Sequence, residues 1–158
     1  MLVVDATTGT AMTRATTERT LPAPRQTVWK ALQRAENYPR WIVGAKEFRG
    51  VDDSWPQPRS RFYHSVGVGP LKLKDETELV STRDGVEVVL LARARPAGRA
   101  RVTITLEDDD GGTRVHMEEH AVTGPGAYLP RLLHDPFINV RNSRALRRLS
   151  RLVRAAGE

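Results

Sequence analysis

DPFINVRNSRALRRLSRLVRAA, residues 135–156, repeats apolar side chains at helical spacing. Ile138, Ala145, Leu146, Leu149, Leu152, Val153 and Ala156 fall on one face, with Asn142 as its one polar member. Arg141, Arg144, Arg147, Arg148, Arg151 and Arg154 fall on the other. Asp135-Pro136 marks a start, because Asp accepts from partnerless N–H groups and Pro at the first helical position gives up only such an N–H. A helix of ~20 residues spans ~30 Å, about the width of a small domain. Its apolar face needs a broad partner, and the chain ahead of it reads as a row of β-strands. The expected class is α+β, one long helix across a curved antiparallel sheet.

Working outward, residues 1–11 are small and polar with no period, and are expected to form a flexible tail ahead of a single domain, residues 12–158. Met12–Thr20 alternates as a first strand. Pro22 and Pro24 set a turn, and Val28, Trp29, Leu32 and Ala35 make the buried face of a short helix. Asn37-Tyr38-Pro39 ends it, and a further turn or short helix carries Trp41 and Ile42. A second strand is expected over Ala45–Val51 and a loop over Asp52–Pro58.

Turns set the register of the later strands. Asp84-Gly85 and Asp110-Gly111 are favoured two-residue hairpin turns. The first pairs Val80 with Val89 and Thr77 with Ala92; the second pairs Ile104 with Met117 and Val102 with Glu119. A Pro96-Ala97-Gly98 turn pairs Arg95 with Arg99 and Arg93 with Arg101. Val88, Leu90, Ala92, Ala94, Ala100, Val102, Ile104, Leu106, Val115 and Met117 then share one surface, and most charged residues share the other. An even loop around Gly69-Pro70 adds Phe62, His64, Val66 and Val68 to the inner face, beside Leu73, Asp75 and Thr77. Glu76 meets Arg93 on the outer face, which supports the pairing.

Composition narrows the function. With 158 residues the chain fits one domain with a real core. It has no cysteine, which excludes disulfides, thiolate metal sites and cysteine nucleophiles. No run is apolar enough to span a membrane and no signal pattern opens the chain, so a cytoplasmic protein is expected. The net charge is +6, and residues 131–158 hold seven arginines against two acids. That arginine face reads as solvated surface; docking on an anionic partner is the alternative. No aromatic residues interleave with it, so nucleic acid is not expected.

The strand followed by LPAPRQTVWKALQRAENYPRW, residues 21–41, then several strands and a closing helix, resembles the START/Bet v 1-like helix-grip (SRPBCC) superfamily. Within it the chain resembles the polyketide cyclase/dehydrase and lipid-transport branch most closely. Ala23-Pro24, Val28-Trp29 and Tyr38-Pro39-x-Trp41 carry the likeness. It implies a helix-grip fold, a sheet wrapped around the last helix, with small hydrophobic molecules held in a cavity between them.

Four polar side chains interrupt the inner face: His64, Asp75, Thr77 and Glu119, with Asn142 reaching the same space from the helix. His64 and Asp75 are direct or diagonal neighbours. Glu119 stands in apolar company, where an ionised carboxylate is costly unless paired. His64, Asp75 and Glu119 are the catalytic candidates if the protein does acid/base chemistry, as an aromatase/cyclase or dehydratase would. Ligand anchoring is the preferred reading, and a satisfied internal network is the third. The candidate binding set is Trp41, Phe62, His64, Asp75, Thr77 and Leu90, with Val102, Ile104, Met117, Glu119, Phe137 and Asn142. Tyr128 and Phe137 flank a stretch that Pro130 and Pro136 mark as a connector. His116, Glu118 and His120 alternate on the outer face as polar surface. No metal or cofactor is expected.

Overall fold

The computed structural model describes residues 14–67, 69–94, 98–125 and 131–157. The tail, Val68, residues 95–97, which include Pro96 and Ala97 of the expected turn, and Tyr128 lie outside them. The chain runs β1 (Arg14–Leu21), α1 (Arg25–Gln33), a 3-10 turn (Ala35–Asn37), α2 (Tyr38–Trp41), β2 (Ala45–Val51) and β3 (Arg61–Val66). It continues through β4 (Leu73–Arg83), β5 (Glu87–Ala94), β6 (Gly98–Asp109) and β7 (Gly112–Thr123) to α3 (Arg131–Ala156). The strands form one antiparallel curved sheet, ordered β1-β7-β6-β5-β4-β3-β2. No helix among the described residues is long and apolar enough to cross a membrane.

Helix α1 opens at Pro24, whose carbonyl accepts from Thr27 and Val28 N–H. Val28, Trp29, Ala31 and Leu32 are its buried face. Two side chains lock the corner into α2. Asn37 Nδ2 donates to the Ala31 carbonyl at 3.0 Å, and the Tyr38 hydroxyl to the Leu32 carbonyl at 2.8 Å. Burying both groups is tolerable because both are hydrogen-bonded.

The β6–β7 pairing is the expected one, with Ile104 opposite Met117 and Val102 opposite Glu119. At β4–β5 Thr77 faces Ala92 as expected, but Val80 does not pair with Val89. The loop here takes three residues, 84–86, and Arg83 pairs with Glu87. A bulge at Val80 absorbs the extra residue, and Ser81 takes the place opposite Val89. At β5–β6 the pairing is displaced by two: Arg93 faces Arg99, not Arg101, and Ala94 faces Gly98. An even displacement keeps every side chain on its face. On the outer face Glu76 lies 3.5 Å from Arg61 and 3.9 Å from Arg93.

The long helix corrects the start signal. It begins at Arg131, so Asp135 is not its cap, Pro136 lies inside it, and Phe137 is helical rather than part of a connector. Pro136 removes the N–H that would reach the carbonyl four residues back, and its ring crowds that carbonyl. Helix α3 packs on β1, α1, α2 and β7. Its Leu146, Leu149 and Val153 are fully buried, in one core with Leu21, Val28, Trp29, Ile104, Leu106 and Val115. Ala156, expected on the buried stripe, is exposed. The hydroxyl of Thr17 on β1 donates to Asn139 Oδ1 at 3.3 Å, tying the other half of the helix down.

Candidate functional site

A cavity of about 540 Å³ opens between the N-terminal half of α3, the α2–β2 corner and the inner face of the sheet. Each strand presents alternate residues to it, so β3 contributes Phe62, His64 and Val66, and β6 contributes Ala100, Val102 and Ile104. Trp41, Thr77, Leu90, Met117, Glu119, Phe137 and Asn142 also line it. Asp75 does not. It is buried directly opposite His64, and its Oδ1 accepts from the Glu76 N–H at 3.0 Å.

Two polar groups mark two sides of this cavity. On β3 and β4, His64 Nε2 lies 3.1 Å from Thr77 Oγ1. His64 is 6% exposed, and its Nδ1 has no partner among the described residues; neither has Trp41 Nε1. Burial lowers the His64 pKa below the ordinary histidine value, and the neighbouring Asp75 only partly opposes it. The imidazole is therefore neutral at pH 7. Its ring centroid is 5.4 Å from that of Phe62, which stacks on Tyr38 at 4.7 Å. This aromatic wall holds α2 against β3 and fixes the histidine's position.

On β7, Glu119 is 4% exposed. One guanidinium nitrogen of Arg141 lies against both of its carboxylate oxygens, and Asn142 Nδ2 donates to Oε2 at 3.1 Å. The demand for a partner made by a carboxylate in apolar company is thus met, by a residue expected on the solvent face. Arg141 stands at the edge of the buried stripe, one helical step of about 100° from Asn142. Its long side chain bends inward from there. The legible signal was the bare carboxylate, which called for a cation on the covering helix.

The expected His64–Asp75–Glu119 set is not assembled as one constellation. β3 and β7 are four strand steps apart in the sheet order, about 19 Å along it at ~4.8 Å per step. Tyr38, Ala92, Ala100, Val140 and Arg144 line the cavity without having been candidates. On the outer face His116 Nδ1 lies 3.7 Å from Glu18. Among the described residues no three His, Asp or Glu are grouped to hold a metal ion.

No curated protein sequence matches the chain. Solved structures do. A protein of Nitrosomonas europaea, NE0264, is 20% identical over 93% of this chain and 97% of its own, with a TM-score of 0.72. Ara h 8.0201 is 13% identical over 90% of this chain and 97% of its own, TM-score 0.67. The di-domain ARO/CYC StfQ of the steffimycin biosynthetic pathway is 11% identical over 92% of this chain and 52% of its own, TM-score 0.70. These likenesses carry the fold. Residues 12–157 match the family described as polyketide cyclase / dehydrase and lipid transport, and the chain belongs to that family.

Proposed function

We propose that the protein binds a small amphiphilic molecule, lipid- or polyketide-like, between the sheet and α3. One observation carries this reading: an open cavity of about 540 Å³ with mostly apolar walls and two polar groups on opposite sides, His64–Thr77 and Glu119–Arg141–Asn142. Its volume lies within the ~300–1,000 Å³ usual for small-molecule sites, where a few placed polar groups fix orientation. The apolar body of a guest would lie along Leu90, Val102, Ile104 and Met117. Its polar end would meet Arg141 and Asn142. Native mass spectrometry of freshly purified protein tests this: a discrete added mass, released on denaturation, is expected. Absence of a retained molecule, together with failure to take up a fluorescent long-chain fatty acid, would overturn it.

A second reading rests on His64. A neutral imidazole that lines the cavity can accept a proton from a guest that reaches its ring, as a cyclisation or dehydration step requires. In that case His64→Gln abolishes turnover and leaves binding intact. Loss of binding in that variant would instead make His64 an anchoring residue.

A further inference from the structure

The outward ridge of α3 is apolar at one end and cationic at the other. Phe137, Val140, Arg144, Arg147, Arg148, Arg151 and Arg154 are all exposed. At about 100° per residue they fall within roughly 120° of the helix circumference, on a ridge ~26 Å long. None of these five arginines has an ion pair or side-chain hydrogen bond among the described residues. Elsewhere Arg25, Arg61, Arg83, Arg93 and Arg114 are paired with acids, while Arg19, Arg40, Arg59, Arg99 and Arg101 are also without an ion pair among the described residues but are not gathered on one helix ridge. Phe137 is 69% exposed and Val140 54%, and both stand at the cavity opening. Across that opening Leu73 lines the cavity and is exposed, and its neighbour Leu71 is 73% exposed. Four of the seven large apolar side chains exposed among the described residues, including the three most exposed, therefore gather where the cavity meets solvent, next to a row of unneutralised guanidinium groups.

We propose that this ridge docks the protein on an anionic phospholipid bilayer, with the cavity opening against the membrane. A nucleic acid would engage the arginines and leave four large apolar side chains in water. A bilayer interface accepts both kinds of group: Phe137, Val140, Leu71 and Leu73 enter the headgroup–acyl boundary, and the guanidinium groups meet acidic headgroups. The charge complementarity and the apolar rim thus select the same partner. A guest entering or leaving the cavity there would avoid crossing water; that consequence rests on the ligand-binding reading, whereas the docking itself does not.

Flotation with phosphatidylcholine vesicles, with and without phosphatidylserine, tests the proposal. Binding to the anionic vesicles alone is expected, weakening as salt is raised. The triple variant Arg144→Gln/Arg148→Gln/Arg151→Gln should lose on the order of 100-fold in partition, from about a fivefold contribution per basic residue near an acidic surface. Phe137→Ser/Val140→Ser should lose roughly tenfold or more, from the apolar area no longer buried. All five positions are exposed, and unchanged thermal unfolding would verify that the fold is retained. Equal binding to neutral vesicles, or no binding to anionic ones at low salt, would overturn the proposal. So would tighter binding to a DNA duplex that the Phe137/Val140 variant leaves untouched, which would assign the ridge to nucleic acid. Vesicle partition and guest retention are separate measurements, so failure of docking leaves the cavity reading standing.

Discussion

Glu119→Gln tests the polar cluster most directly, because sequence and structure predict opposite signs for it. Read from sequence, the change swaps a desolvated carboxylate for a neutral amide, and the empty protein should be as stable or slightly more so. The structure adds Arg141, whose guanidinium covers both carboxylate oxygens. Removing one partner of a fully buried pair costs about 3–5 kcal/mol, chiefly by stranding the other charge. Here the side chains of Glu119 and Arg141 are 6% and 28% exposed, so the arginine can turn partly to water. The expected cost is therefore about 2 kcal/mol, within the range for hydrogen bonds to charged groups. For a domain of this size that is a fall of about 4–8 °C in Tm. Urea unfolding should show a lower midpoint with an unchanged slope. Adding Arg141→Met completes a double-mutant cycle, and a coupling of at least ~1 kcal/mol is expected for groups in contact. Stability within about 0.5 kcal/mol of wild type, as for ordinary surface changes, or a coupling near zero, would refute the pairing.

Three further outcomes follow from the structure. Because His64 has a lowered pKa, the unfolded chain takes up the proton first, so its contribution to stability is complete above the ordinary histidine pKa of about 6.5 and is lost as pH falls below it; His64→Gln should flatten the loss measured between about pH 7.5 and pH 5.5, and an unchanged pH slope would contradict its burial as a neutral ring. Gly98→Ala would put a Cβ 1.9 Å from the Thr123 carbonyl at φ 113° and should destabilise by about 2 kcal/mol or more, while Gly85→Ala, with open space around it, should cost only about 1 kcal/mol; equal melting temperatures for the two would be the wrong result. Ala100→Leu should fill the cavity, abolishing guest retention in native mass spectra without lowering stability, whereas the same change in a packed core costs about 1–3 kcal/mol.

Local signals were read well where they alone govern. Asp109 pairs with Gly112, so the Asp110-Gly111 turn sets every later β6–β7 pair up to the irregularity at Arg99/Ala100. They failed where a distant group decides. Gly98 carries the backbone freedom of a turn residue, but it belongs to β6, pressed against Thr123 of β7. No reading of Pro96-Ala97-Gly98 in isolation contains Thr123. The start of α3 also differs: Asp135-Pro136 satisfies the rules for a helix beginning, yet the helix starts at Arg131 and carries Pro136 inside it. At the candidate site, alternation along the strands was enough to bring Phe62, His64, Thr77, Val102 and Glu119 to one face. Arg141 was missed because periodicity gives the direction of a Cα–Cβ bond, not the reach of six further heavy atoms.

The cavity itself follows from a gradient of side-chain size that becomes visible only once the register is known. Along β5 and β6 the facing inner pairs run from Val88 with Ile104, through Leu90 with Val102, to Ala92 with Ala100. Bulk falls away in one direction along the sheet. At the bulky end, Leu106 and Val115 share the filled core with Leu146, Leu149 and Val153 of α3. At the small end, Phe137, Val140 and Arg141 of the same helix face a cavity. A straight helix cannot follow a floor that drops by the depth of a leucine, so the space under its N-terminal half stays open. Shortening a side chain in a filled core creates a void that destabilises. Small residues paired in register at one end of a sheet repeat that cost without compensation from packing. A guest that occupies the space supplies the missing contacts, and this is the physical reason to connect the alanines of β5 and β6 with binding rather than with imperfect packing.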